Sequence, residues 1–205
     1  MFDFRQSSDY MSLDMPDGKA SDGTLPNRNT YWVKRGMLLA GEYPGHARSA
    51  KARERLREYL KAGVTFFLDL TVRGELRSYD RFLAEEAEAM GINALYLRMP
   101  IQDASVPRSH EYMVEILDVL DNALKNGHLT YVHCWGGVGR TGLVVGCYLV
   151  RHGMKPEQAL QELSRLWRGV EKSNYHPCSP ETAQQADFIR RWSETPKPRL
   201  KPASK

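Results

Sequence analysis

The residues best suited to chemistry lie in one short stretch, Tyr131-Val132-His133-Cys134-Trp135-Gly136-Gly137-Val138-Gly139-Arg140-Thr141-Gly142. A cysteine stands at the end of an apolar run, five residues follow, three of them glycine, and then comes an arginine at the start of a helical pattern. Glycines allow dihedrals closed to other residues, so the loop can curl until successive backbone N–H groups converge on one point. The following helix turns its positive end to the same point. Arg140 can close the ring with a two-pronged grip on phosphate oxygens. Those donors also stabilise a thiolate, which makes Cys134 a nucleophile at neutral pH. The chemistry implied is attack on a phosphoryl group whose equatorial oxygens are held by Trp135, Gly136, Gly137, Val138, Gly139 and Arg140.

An ester oxygen leaves readily only if it is protonated, so a general acid should overhang the loop. Asp103, in the segment Pro100-Ile101-Gln102-Asp103-Ala104-Ser105-Val106-Pro107, follows a strand-like run and is the candidate. Asp69, in FFLDLT, reads as a buried structural acid, and Asp118 and Asp121 belong to a helix that points elsewhere.

Several elements must hold these groups. A short strand is expected at Met37–Ala40 and a helix over residues 47–62, ending at Gly63. Val64–Leu70 reads as a buried strand, Tyr79–Met90 as a helix, and Ala94–Met99 as a strand stopped by Pro100. Residues 109–126 place Met113, Ile116, Leu117, Leu120 and Leu124 on one helical face. Leu129–His133 is the strand before the glycine loop, and Arg140–His152 and Pro156–Trp167 are helices. Ser179-Pro180-Glu181 predicts a last helix with Ser179 as cap and Pro180 at its first position, running through Trp192. Strands alternating with helices of this length give an α/β fold, a mainly parallel sheet with helices on both faces. Ligands of such sheets bind beyond the carboxyl ends of the strands, where Cys134 and Asp103 both fall.

The motif His133-Cys134, then five residues, then Arg140-Thr141-Gly142, resembles the H-C-x5-R-[ST] signature of the Cys-based protein tyrosine phosphatase superfamily. The Cys-Trp-Gly-Gly-Val-Gly-Arg variant is most similar to the compact dual-specificity type, particularly the cyclin-dependent-kinase-associated phosphatases, and the resemblance runs from about Trp32 to Trp192. It implies a metal-independent hydrolase acting through a phosphocysteine on phosphotyrosine and phosphoserine/threonine in proteins, with no cofactor and no bound metal. It further implies Asp103 as acid and then base, a hydroxyl at Thr141 that eases thiolate departure, and His133 as the residue that orders the loop. Glu181 to Phe188 is similar to the family segment Q-T-x-x-Q-x-x-[FY]. Gln185 matches its second glutamine, and Glu181 replaces the first, water-positioning one. Arg73 and Glu75 read as a solvated charged loop, while Trp135 and Tyr31 are candidates for a pocket wall.

Composition sets the remaining bounds. With 205 residues, 41% hydrophobic and 26% charged, the chain is of globular type, and it contains no apolar run long enough for a membrane span. Residues 1–29 read as a loosely ordered arm, 30–194 as the phosphatase domain and 195–205 as a basic, Pro-rich tail. The net charge of +4 is supplied by Lys197, Arg199, Lys201 and Lys205, the other 194 residues summing to zero, so stable nucleic-acid binding is not expected. Three cysteines argue for a reducing, cytoplasmic setting, with Cys147 inert in an apolar helix and Cys178 a candidate for a disulfide with Cys134 under oxidation. A monomer is expected, with a phosphorylated protein as its partner. The alternatives are a phosphatase of inositol phosphates or RNA 5′-triphosphates, and an inactive phosphate-binding module.

Overall fold

The computed structural model describes residues 23–194, so the expectations for most of the arm and for the basic tail lie outside the described residues. The elements are β1 (Thr30–Lys34), β2 (Leu38–Gly41), α1 (Ser49–Lys61), β3 (Phe66–Asp69), α2 (Asp80–Ala89), β4 (Leu95–Arg98), α3 (His110–Lys125), β5 (Thr130–His133), α4 (Gly139–Arg151), α5 (Pro156–Trp167), a 3-10 turn (Glu171–Asn174) and α6 (Ala183–Arg190). The sheet order is β1-β2-β5-β3-β4. Four strands run parallel, and β1 pairs antiparallel with β2. The sheet is thus mostly parallel, as expected, but β1 is a strand ahead of the first one expected, at Met37–Ala40.

Alternation along each strand sends neighbouring side chains to opposite faces. Leu39, Phe67 and Tyr131 pack against α1 and α2 through Leu56, Tyr59, Leu60 and Leu83. Leu38, Ala40, Phe66, Leu68 and Val132 face the larger layer of α3, α4, α5 and α6. Helix α4 is buried from Gly139 to Leu149, so it forms the spine of that layer and its N-terminus is fixed in space. Residues 23–29 are tied to this body as well: the Asn27 amide donates to the Tyr59 hydroxyl at 2.9 Å, and the Trp32 indole donates to the Gly23 carbonyl at 2.9 Å.

The register brings Gly41, His133, Asp69 and Arg98 into one row at the carboxyl edge. The loop after β5 therefore emerges at the middle of the sheet, flanked by the β2 and β3 loops. Asp118 and Asp121 do point elsewhere, toward Arg151 and His152 at the far end of α4. Residues 179–181 are not a helix start. The Ser179 hydroxyl donates to the Val138 carbonyl at 2.8 Å, and Thr182 caps α6 in a reciprocal box with Gln185. Tyr31, a candidate for a pocket wall, is buried in the core and packs edge-on against Trp167. Among the described residues, no helix is long and apolar enough to cross a membrane.

Candidate active site

The loop between β5 and α4 is defined by where its carbonyl groups go. The Cys134 carbonyl accepts from His133 Nδ1 at 3.1 Å, and that of Trp135 from the Tyr43 amide at 3.0 Å. The Gly136 carbonyl accepts from Lys172 Nζ at 3.3 Å and the Val138 carbonyl from Ser179. All four are held from outside the loop. In a planar trans peptide the N–H points opposite to the C=O, so the amides of Trp135, Gly136, Gly137 and Gly139 turn to the inner side. Gly137 has φ +78°, and a Cβ there would lie 2.5 Å from the Gly41 backbone, so no other residue fits. Helix α4 starts without a side-chain cap, leaving its first N–H groups to the same inner side. Cys134, itself only 3% exposed, stands at the base of this cradle.

Arg140 is 1% exposed, and its guanidinium is held through its two terminal nitrogens. Nη1 and Nη2 donate to Glu75 Oε2 and Oε1 at 2.8 and 2.6 Å, and Nη1 also donates to the Ile101 carbonyl at 3.2 Å. Nη2 lies 2.9 Å from Asp103 Oδ1. Nε is buried without a partner among the described residues. Burial alone would lower the Arg140 pKa, but the Glu75 hydrogen bonds, with Cys134 and Asp103, outweigh it and hold the cation. Burial likewise pushes the Glu75 carboxyl up, yet Arg140 and the Val72 amide bring it below the usual range. Glu75 is therefore the clamp of the arginine rather than part of a solvated loop. Arg73, two residues before it, is exposed and forms a backbone bridge with Leu76.

His133 is buried beneath the loop and links two of its supports. Its Nδ1–H donates to the Cys134 carbonyl, and its Nε2 accepts from the Tyr79 hydroxyl at 2.6 Å. Burial lowers its pKa, so the neutral ring with the proton on Nδ1 is the form that satisfies both bonds. Asp69, behind it, accepts from Thr71, Tyr96 and Arg98 and is the structural acid expected. The Thr141 hydroxyl donates to the Gly41 carbonyl at 3.5 Å, between α4 and β2.

Asp103 is 61% exposed at the mouth, next to Ala104, whose φ of +54° is rare for a residue with a side chain. Gln185 is fully buried; its amide donates to the Ser105 carbonyl at 3.0 Å and so anchors the Asp103 loop to α6. Trp135 is exposed at the rim. Cys147 lies inside α4, where burial raises its pKa, and Cys178 is exposed on the loop before Ser179. Sequence reasoning missed Glu75, Tyr79, Ser179 and Lys172 as supports, since each reaches the loop from another part of the chain.

Cys134, Trp135, Arg140, Asp103, Lys172 and Glu181 line a cavity of about 320 Å³ above the loop. A larger cleft of about 530 Å³ between α3 and α6 is mostly apolar, with Val106, Phe188 and Trp192, and contains neither cysteine nor cradle.

Known proteins can be compared with this geometry. The candidate tyrosine phosphatase of Invertebrate iridescent virus 6 is 32% identical over 131 residues, 62% of this chain and 42% of that protein. Human cyclin-dependent kinase inhibitor 3 is 33% identical over 112 residues, 53% of this chain and 51% of that protein. The chain thus spans about half the length or less of these curated relatives. Among solved structures, kinase associated phosphatase with its catalytic-site cysteine replaced by serine superposes with a TM-score of 0.57 at 25% identity, covering 74% of this chain and 83% of that one. The model of the Swiss Army Knife protein, DSP-PTPase phosphatase domain, matches residues 27–189, which include every group of the cradle, the arginine clamp and the Asp103 loop; the chain belongs to that family.

Proposed function

We propose that the chain hydrolyses phosphomonoesters through a cysteinyl phosphate, acting on phosphotyrosine and phosphoserine/threonine in proteins. The observation that carries this is the buried Nε of Arg140, without a partner among the described residues, beside a loop in which the carbonyls of Cys134, Trp135, Gly136 and Val138 are drawn outward. An arginine fork and a ring of amides left open above a cysteine form a receptor for the three equatorial oxygens of a phosphoryl group.

In the first step the Cys134 thiolate attacks phosphorus. The bond from phosphorus to the ester oxygen breaks, and Asp103 gives its proton to that oxygen. Before that step the bound phosphoryl group displaces Asp103 from Arg140 Nη2, and the freed carboxylate takes up from solvent the proton that it then delivers to the ester oxygen. In the second step water attacks the phosphocysteine, Asp103 takes the water proton, and the S–P bond breaks to return the thiolate and release inorganic phosphate. His133, kept neutral by burial and oriented by the Tyr79 hydroxyl, positions the Cys134 carbonyl and with it the loop. Thr141 and Gln185 act through position: one fixes α4 to β2, the other fixes the acid loop to α6.

The test is phosphate release in the presence of a chelator from phosphotyrosine and phosphoserine/threonine peptides, with Cys134→Ser and Asp103→Asn beside the wild type. Turnover absent in Cys134→Ser and reduced by about 10²–10⁴ in Asp103→Asn is expected. Phosphopeptide binding without turnover by the wild type would instead make the loop a reader.

A further inference from the structure

The cavity above Cys134, at about 320 Å³, is at the lower end of pockets that enclose whole small molecules, and leaves room beside one phosphoryl group. Its lining carries both signs of charge. Asp103 lies at Arg140 and Glu181 Oε2 close to Gly139, 2.9 Å from where a Cβ would be, so both acids are near the end of the loop that enters α4. Lys172 lies at Gly136, near the other end of the loop, and His176 also lines the cavity. The backbone brings these two together: the amides of Tyr175 and His176 both donate to the Lys172 carbonyl at 3.0 Å, which puts residues 172 and 176 one turn apart on the same face.

Lys172 Nζ donates to Glu42 Oε2 at 2.7 Å and to the Gly136 carbonyl at 3.3 Å. The other oxygen of Glu42 takes Arg55 at 2.5 Å, so one carboxylate lies between two cations and a net positive charge remains. An ammonium has three donors, and the third is left for the cavity. The His176 ring is exposed and has no partner among the described residues. Basic side chains are absent from the glycine loop itself, between Cys134 and Arg140; Lys172, in the 3-10 turn after α5, and His176, two residues beyond that turn, supply them from outside.

We infer that Lys172 and His176 form a subsite for a second phosphate of the substrate, so that the preferred substrates carry another phosphate close to the one that is cleaved. Asp103 and Glu181, near Arg140 and Gly139, repel that group and direct it toward Lys172. This subsite rests on the reading of Cys134 as the centre of a phosphatase. A second phosphate can come from a doubly phosphorylated peptide or from an inositol polyphosphate, and the Lys172 ammonium with the His176 ring as hydrogen-bond donor serves either.

The experiment compares kcat/KM within two matched pairs: a phosphotyrosine peptide with and without a neighbouring phosphothreonine, and an inositol bisphosphate against a monophosphate. Wild type, Lys172→Met, His176→Ala and His176→Glu are measured. Lys172→Met also loses the Gly136 bond, whereas the His176 variants break no contact of the ring. The wild type is expected to prefer the doubly phosphorylated member of at least one pair by about tenfold, the scale of one charge-assisted hydrogen bond. That ratio falls toward one in Lys172→Met and His176→Ala and below one in His176→Glu, and the pair that shows it identifies the source. A ratio near one in the wild type for both pairs, or a ratio that the two His176 variants leave unaltered, overturns the subsite. Hydrolysis of the singly phosphorylated member, lost in Cys134→Ser, then still upholds the phosphatase reading; no hydrolysis of any member overturns both.

Discussion

Replacing Glu75 by alanine removes both carboxylate oxygens that hold Arg140, at 2.8 and 2.6 Å. The pair is nearly out of water, with side-chain exposures of 1% for Arg140 and 16% for Glu75. Breaking a fully buried ion pair costs about 3–5 kcal/mol. Arg140 keeps the Ile101 carbonyl and Asp103, so the loss of stability should be smaller, about 2–3 kcal/mol. The catalytic effect is separate. Without Glu75 the guanidinium is free to swing toward Asp103, and its Nε edge no longer faces the cradle. A hydrogen bond to a charged group contributes about 1.5–3 kcal/mol, and about 1.4 kcal/mol is a factor of ten in rate. Glu75→Ala should therefore lower kcat/KM for an aryl phosphate roughly a hundredfold, and Glu75→Gln, which keeps one acceptor, about tenfold. Steady-state kinetics, with thermal melts to verify folding and with phosphate inhibition to read Arg140 occupancy, provide the measurement. A folded Glu75→Ala with kcat/KM within about threefold of wild type would refute the clamp.

Tyr79→Phe leaves the buried Nε2 of His133 without a donor, at a cost of about 1–3 kcal/mol; in a domain of this size each kcal/mol lowers Tm by about 2–4 °C, and an unchanged Tm would contradict the assigned tautomer. Gly137→Ala should abolish most activity, since its Cβ would enter the Gly41 backbone at a φ of +78°, and normal turnover in that variant would show that the loop is not fixed there. Acid should unfold the domain in two stages. Burial holds the folded His133 pKa below its ordinary value, so the unfolded chain binds the extra proton and stability falls as pH drops below about 6.5. In Asp69 burial is outweighed by the hydrogen bonds from Thr71 and Tyr96, and in Glu75 by Arg140. Both folded pKa values are depressed, and the stability present above about pH 4 is lost as pH falls through them. A melting temperature constant from about pH 7 to pH 3 would exclude both stages.

How much of this was legible in the sequence follows from how local each feature is. The stretch from Thr130 to Arg151 carries strand, glycine loop and helix in one run, so the cradle could be read directly, and Asp103 followed from its place after a strand at the same edge. Strand β1 was not legible, because TYWVK lacks a clean alternation and its partner β2 lies across a turn at Gly36. Ser179-Pro180-Glu181 has the composition of a helix cap, but the Val138 carbonyl takes the Ser179 hydroxyl, and the Thr182–Gln185 box three residues on caps the helix instead. Glu75 lies 65 residues from Arg140 in a charged Arg-Gly-Glu turn, and nothing local separates such a glutamate from a solvated one. Lys172 and Tyr79 are of the same kind: ordinary residues whose role exists only once the sheet edge assembles.

The central claim is that Cys134 carries the phosphoryl group, and the direct measurement is rapid acid quenching of the enzyme during turnover, followed by mass analysis of the peptide that contains Cys134. The account predicts a phosphoryl group on that peptide, built up within the first turnover and absent from Cys134→Ser, which binds phosphopeptide but releases no phosphate. Phosphate release by Cys134→Ser at the wild-type rate, or turnover by wild type with the phosphoryl group on any other residue, would contradict it.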